Sequence, residues 1–130
     1  MPDIDLSALI LSLPEIDDDH AESVALWRRV AAAAPAEFPE CLAAFVDHLA
    51  AHFAREEALM TAVGYRDLPH HAAEHARTIA EARRFLEQAR AGRSMMARAW
   101  VTDFVPDWFR RHVLMFDSEV ARVVKRVRTG

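Results

Sequence analysis

Cysteine occurs once in the 130 residues, at Cys41, so the chain can build neither an intrachain disulfide nor a thiolate cage for zinc or an iron–sulfur cluster. Any metal must bind through nitrogen and oxygen, and Cys41 is expected to be a small core residue. Glycine is nearly as scarce, with three copies, and no segment alternates apolar and polar residues at the period of a strand. An excess of positive charge is also missing. Sixteen basic residues against twenty acidic ones leave a formal net charge of −4, the wrong sign for a surface that must neutralise nucleic-acid phosphates. Lys125, Arg126 and Arg128 read as cations complementing the dipole at a helix C-terminus. No apolar run approaches the ~18 residues of a membrane span, and the opening MPDIDLSALILSL is acidic where a signal peptide requires positive charge. No nucleic-acid or membrane partner is expected, and the expected compartment is the cytoplasm.

What the chain does have is apolar material and helix formers. Hydrophobic residues make up 52% and charged residues 28%, a balance that suits one globular domain at this length. Four stretches show the apolar repeat of an amphipathic helix. After an N-terminal arm of residues 1–17, which contains Pro14, helices are expected at about 18–34, 37–63, 69–91 and 95–127. The first opens on the acidic run Asp17, Asp18, Asp19 and stops at Pro35. Gly64 and Gly92 supply left-handed closing residues for the second and third, and Pro69 sits in the first turn of the third. Pro106 interrupts the fourth and is expected to kink it or to split off its first ~10 residues. Short connections imply antiparallel neighbours, so the expected fold is a single all-α domain, an up-down-up-down four-helix bundle.

Seven histidines are spread over these helices, and at ~100° per residue their faces can be separated. His52 and Glu56, four apart, lie in the middle of the second helix's apolar arc with Leu42, Phe45, Leu49 and Met60. His71 and His75 share a stripe with Ile79, Ala82 and Leu86, whereas His70 and Glu74 project to the outer side of the third helix. His20 aligns with Val24 and Trp27 on the first. His112 and Asp117 are five apart, ~140° on an α-helix, so both reach the interior only if the fourth helix lies close to the site.

Five imidazoles and two carboxylates thus point inward. Buried without a compensating ion they would each cost several kcal/mol of desolvation, together more than the ~5–15 kcal/mol by which a domain is stable. Seven donors exceed the four of a structural zinc site and the six of one octahedral ion. Two ions sharing bridging carboxylates use them all, and imidazole with carboxylate suits iron. The Glu-x-x-His motif of ferritin-like di-iron enzymes is absent from the chain.

In chain order, His20, the segment His52-Phe53-Ala54-Arg55-Glu56-Glu57 with Met60, then Gly64-Tyr65, His71-x-x-x-His75 and Trp108-x-x-x-His112-x-x-x-x-Asp117 closely resemble the hemerythrin family in its bacterial single-domain form. The resemblance runs from about Ile16 to Val124. It implies a non-haem di-iron centre with one iron held by His71, His75 and His112 and the other by His20 and His52. Glu56, Asp117 and an oxo or hydroxo group would bridge the two ions, leaving one coordination position open on the two-histidine iron. The implied function is reversible binding of dioxygen there, for carriage, storage or delivery, rather than enzymatic turnover. Phe53, Trp108, Phe109, Val113 and Leu114 occupy positions similar to the family's apolar pocket, which would exclude water and reductants. Helical geometry alone places Leu114 ~60° beyond Asp117.

His48 stands one turn before His52, where bacterial members usually have tyrosine, and is expected to be a core histidine satisfied by a hydrogen bond. Trp27 and Trp100 are expected to be packing aromatics. Apart from His48, no inward acid or base is left once the seven ligands are assigned, so no proton-transfer group for turnover is evident. The alternatives to oxygen binding are a di-iron enzyme handling peroxide or nitric oxide, and an oxygen or redox sensor acting through a separate partner.

Overall fold

Apolar positions three and four apart can be buried only when helices lie side by side, and the computed structural model, which describes residues 3–130, contains four such rods. Met1 and Pro2, the start of the expected arm, lie outside the described residues. Helix α1 runs Pro14–Ala31, α2 Phe38–Ala62 and α3 Leu68–Arg90; α4 occupies residues 95–129. Among the described residues there is no strand, and no helix is long and apolar enough to cross a membrane. The connections, 32–37, 63–67 and 91–94, are short enough to make successive helices antiparallel, giving the up-down-up-down bundle. α1 packs on α2 and α2 on α3, and α4 closes the bundle against α1 and α3.

The helix ends follow from local chemistry. Pro14, Pro39 and Pro69 each sit in a first turn, where a missing N–H does no harm. α1 therefore starts at Pro14 rather than near residue 18. Instead of opening the helix, Asp17 turns back, its carboxylate accepting the N–H groups of Leu11 and Leu13 at 2.9 and 3.0 Å and holding Ser12 at φ 58° between them. Gly64 and Gly92 are left-handed, at φ 64° and 85°. The next N–H in each case reaches back across the helix end, Tyr65 to the Met60 carbonyl and Arg93 to that of Gln88, both at 2.9 Å. The arm carries a 3-10 turn at Leu6–Leu9 and lays Ile4 and Leu9 into the core.

Pro106 does not divide α4. The rod alternates α segments (Met95–Ala99, Val105–His112, Ser118–Thr129) with π segments at Trp100–Phe104 and Val113–Asp117. In the first π segment the Val105 N–H bonds the Trp100 carbonyl, five residues back, which widens the turn where the proline ring would otherwise strike the preceding backbone. This diverts from the Val101 carbonyl the N–H that α geometry would supply, and the residue five beyond it is Pro106, which has none. The buried Trp27 donates its indole N–H to that carbonyl at 2.8 Å, so Trp27 mends the ladder as well as packing. Trp100 likewise donates to Glu81, at 2.7 Å.

The second π segment has a different consequence. The Ser118 N–H bonds the Val113 carbonyl, and in a turn closed five residues back, side chains five apart stack on one side. His112 and Asp117, ~140° apart on an α-helix, are both carried inward and buried.

The core falls into two apolar clusters. The larger joins Val24, Trp27 and Val30 to Phe38 through Phe53, to Ile79, Ala82 and Leu86, and to Val101, Trp108 and Val113. The smaller, at the other end, contains Leu13, Ile16, Met60, Val120, Ala121 and Val124. Between them lies one level occupied by buried polar side chains.

Deleting Leu114 should remove the surplus residue of the second π turn, leaving His112 and Asp117 four apart, ~40°, on a regular α-helix. The metal-free deletion protein should unfold within about 1 kcal/mol of the parent. Deleting Glu119 from the regular stretch that follows should swing Val120, Ala121 and Val124 by ~100° out of the core and cost at least about 2 kcal/mol. Urea titrations of the two proteins decide, and equal losses would contradict this account of the turn.

Candidate metal centre

Each helix delivers donors to the polar level: His20 from α1, His52 and Glu56 from α2, His71 and His75 from α3, His112 and Asp117 from α4. The Nε2 atoms of the five imidazoles lie 2.8–3.5 Å from carboxylate oxygens. Glu56 turns Oε1 to His71 (2.9 Å) and His75 (3.2 Å) and Oε2 to His52 (3.5 Å). Asp117 turns Oδ1 to His71 and His112 (3.2 Å each) and Oδ2 to His20 (2.8 Å). Each carboxylate thus has one oxygen toward a group of three histidines and the other toward a group of two. Glu56, His71, His75, His112 and Asp117 offer atoms within 4.8 Å of one another, and so do His20, His52, Glu56 and Asp117. Both carboxylates belong to both groups.

These approaches do not form a hydrogen-bond network. His20 Nε2–H donates to Asp117, but among the described residues ten buried side-chain nitrogens and oxygens lack a hydrogen-bond partner, and all ten belong to these seven residues. Each such atom costs about 1–3 kcal/mol. The unpartnered Nε2 atoms of His52, His71, His75 and His112 converge with the unpartnered oxygens of Glu56 and Asp117. Lone pairs of imidazole and carboxylate facing one enclosed space suit a divalent transition-metal cation.

Two further side chains orient the imidazoles. His75 Nδ1–H donates to Glu57 Oε2 at 2.8 Å. His52 Nδ1–H donates to Ser23 Oγ at 3.3 Å, and that hydroxyl donates to the Asp19 carbonyl at 2.9 Å. Both bonds leave Nε2 with its lone pair toward the cluster. Sequence reasoning missed Glu57 and Ser23. The available signals were a second carboxylate beside Glu56 and a hydroxyl on the otherwise apolar stripe that follows His20. The half-buried His48 donates Nε2–H to the same Asp19 carbonyl at 3.1 Å, matching the satisfied histidine expected there.

Aromatic rings cover the cluster. Phe53 stacks on His75 with centroids 3.8 Å apart, Trp108 stacks on His112 at 5.2 Å, and Phe109 meets His20 edge-on at 5.4 Å. Val113 is fully buried in the larger apolar cluster. Leu114 does not join them: it is 46% exposed, beside the arm and Arg110, because the π turn that carries Asp117 inward carries Leu114 out. Phe116, absent from the expected pocket, stacks on His112 at 5.2 Å and lies 5.3 Å from His71. His70 is exposed, and Glu74 pairs with Arg77, so both stay off the cluster as expected.

Burial works against both carboxylates, and Asp117 works against Glu56 as well, yet His52, His71 and His75 hold Glu56 at about 2. Despite its complete burial, Asp117 is held well below the usual carboxylate range by His112, His20 and His71. Burial would lower His71, but the adjacent Asp117 and Glu56 carboxylates raise it to about 9. His20 is raised by Asp117 against the same burial. Without a cation, protons on His71 and His20 take its electrostatic place.

The folded-state pKa of His71 lies above its unfolded value of 6.5, so its proton stabilises the metal-free fold fully below pH 6.5, and that stability is lost as pH rises through about 9. The Glu56 contribution is present above pH 4.5 and lost as pH falls toward about 2. Metal-free protein should therefore become easier to unfold between about pH 6.5 and 9. Metal-loaded protein, whose imidazoles bind as neutral ligands, should become harder to unfold over the same rise. Urea midpoints of both forms across this range check the opposite signs, and parallel trends would contradict the assignment.

A family model described as "Hemerythrin HHE cation binding domain" matches residues 12–124. A curated relative, Bacteriohemerythrin of Ralstonia nicotianae, is 37% identical over 118 residues, covering 90% of this chain and 85% of its own. No solved structure matches at a significant level. The family match spans all four donor-bearing helices and the buried cluster they assemble, and the chain belongs to the hemerythrin family of cation-binding domains.

Proposed function

We propose that this protein binds dioxygen reversibly at a pair of iron ions held in the polar level of the bundle. The observation that carries the reading is the division of Glu56 and Asp117, each with one oxygen toward His71, His75 or His112 and the other toward His20 or His52. In this reading His71, His75 and His112 would hold one ion and His20 and His52 the other, with Glu56 and Asp117 offering one oxygen to each. When bound, the ferrous pair would supply two electrons and one open coordination position for dioxygen. The chain's own part would be to offer fewer imidazoles on the His20–His52 side, where the Phe109 and Phe53 rings lie against them.

Binding rather than turnover is supported by what is not left over. Among the described residues, the buried polar side chains beyond the seven donors are Ser23 and Thr78, neither of which is an acid or base at neutral pH. The Nε2–H of His48 is committed to the Asp19 carbonyl. Glu57, the carboxylate beside the donors, is likewise engaged, by His75 Nδ1–H, so the acid–base groups next to the site serve positioning, which favours binding over turnover.

Protein reconstituted anaerobically with ferrous iron should hold about two ions per chain, as expected for two donor groups with shared carboxylates. Exposure to oxygen should produce an optical absorption that disappears on degassing. Glu56→Ala or Asp117→Ala should leave one ion or none, while His70→Ala should change neither metal content nor absorption. Two bound ions without a reversible absorption would reject oxygen binding and favour turnover of peroxide or nitric oxide at the same centre.

A further inference from the structure

A cleft of about 520 Å³ opens between α1 and α2 beside the two-histidine side of the cluster. His52 and Glu56, both buried, line its inner part, while Glu15, Asp18, Asp19 and Arg55 line its outer part. The three acidic groups differ in their engagements. Arg128 grips Glu15 through two nitrogens. Arg55 grips Asp19 through Nε at 2.9 Å and a terminal nitrogen at 2.7 Å. Asp18 is exposed and has no ion pair among the described residues. The Arg55–Asp19 pair joins the two helices across the cleft, with Arg55 54% exposed. It therefore stands between solvent and the unpartnered Nε2 of His52 and Oε2 of Glu56.

The Arg55 end of the pair is open to water and can exchange its carboxylate for solvent, while Asp19, 17% exposed, stays in the cleft. The Asp19 carboxylate released by opening is an oxygen ligand for a divalent cation, and the next donors inward are Glu56 and His52. Other clefts suit a cation less well. The one reaching His112 is lined by Glu74, Arg77 and Arg111, and its one carboxylate, Glu74, is engaged by Arg77. The one reaching His71 has Asp67 and Glu119 at its rim, but Glu119 is engaged by Arg122.

We propose that the cleft between α1 and α2 is the route by which divalent cations reach the bundle interior, with Asp18 and Asp19 as their landing site and the Arg55–Asp19 ion pair as the gate. The inference rests on the metal-centre reading and concerns how ions arrive, not what they do once bound. Arriving ions are drawn by the two aspartates and compete with the Arg55 guanidinium for Asp19. The positive charge of Arg55 therefore slows uptake, and the negative charge of Asp18 speeds it.

Stopped-flow uptake of cobalt(II) by the metal-free protein tests this, followed by the visible absorption of the loaded protein, with final metal content measured separately. Arg55→Gln should accelerate uptake about thirty-fold, the factor for one unit charge ~4 Å from a doubly charged ion in water, with unchanged final content. Asp18→Asn should slow it by a similar factor, and both effects should shrink in about 1 M salt, where the screening length is ~3 Å. Asp67→Asn, at the rival cleft, should leave the rate as it was. A parental rate for Arg55→Gln overturns the proposal, and a slowed Asp67→Asn alongside it moves the route to the His71 side. Failure of the parent to take up cobalt is a different result, read in final content before any rate is compared, and it overturns the metal-centre reading together with the route.

Discussion

Five imidazoles and two carboxylates share one level in the middle of the bundle, and the rest of the structure is arranged around the need to keep charge balanced there. The level cuts the apolar core in two, with Ile16, Met60 and Val120 on one side and Val24, Phe45 and Val113 on the other. Neither cluster can extend through it. The imidazoles hold both carboxylates below their ordinary range, so the layer calls for positive charge between the clusters, as a cation or as protons on His71 and His20. Such a layer is a poor stabiliser in itself, since burying charges consumes most of what their attraction returns. It makes sense as a feature kept for what it binds.

Because each of the four helices contributes at least one donor, the layer exists only when the whole bundle is assembled. Binding at such a site is coupled to folding. Precision then depends on how the imidazoles are held. Glu57 and Ser23 fix the Nδ1 side of His75 and His52, and flat contacts with Phe53, Trp108 and Phe116 limit the ring rotation of His75 and His112. Glu57 and Ser23 act on Nδ1, the nitrogen that faces away from the cluster's carboxylates. Their work is to decide which nitrogen carries the proton and which offers the lone pair.

The features legible in the sequence were those that obey one period. The four helices, the closing roles of Gly64 and Gly92, and the inward faces of His20, His52, Glu56, His71 and His75 all follow from 3.6 residues per turn. What was not legible lies where that period fails or where a side chain acts at long range. The π turn at Val113–Asp117 sets the joint inward placement of His112 and Asp117 and expels Leu114, and α geometry applied to the same residues gives the wrong angle for each. Pro106 looked like an interruption because its cost was counted without the π turn before it or the Trp27 indole, 74 residues away, that serves the Val101 carbonyl. Pro14 looked like part of the arm because the turn-back of Asp17 onto Leu11 and Leu13 has no periodic signature.

The two sides of the cluster are covered differently, and the difference follows from which helices face each other. On the three-histidine side, α4 brings Phe116 and Trp108 onto His71 and His112, α2 brings Phe53 onto His75, and Tyr65 closes edge-on over His71. Stacked rings cover these imidazoles, and of the carboxylates in the clefts beside them Glu74 and Glu119 are engaged by arginines and Glu57 by His75. On the two-histidine side, Phe109 covers His20, but α1 and α2 meet beside His52 and Glu56 through Ile16 and Leu59 below and the Arg55–Asp19 pair above. A cover of stacked rings must repack to open, whereas an ion pair with an exposed arginine opens by exchanging that arginine for water. The side with fewer imidazoles is thus also the side with the lower barrier to solvent. The same asymmetry that would leave a coordination position free in the proposed centre sets the cheaper way in beside it.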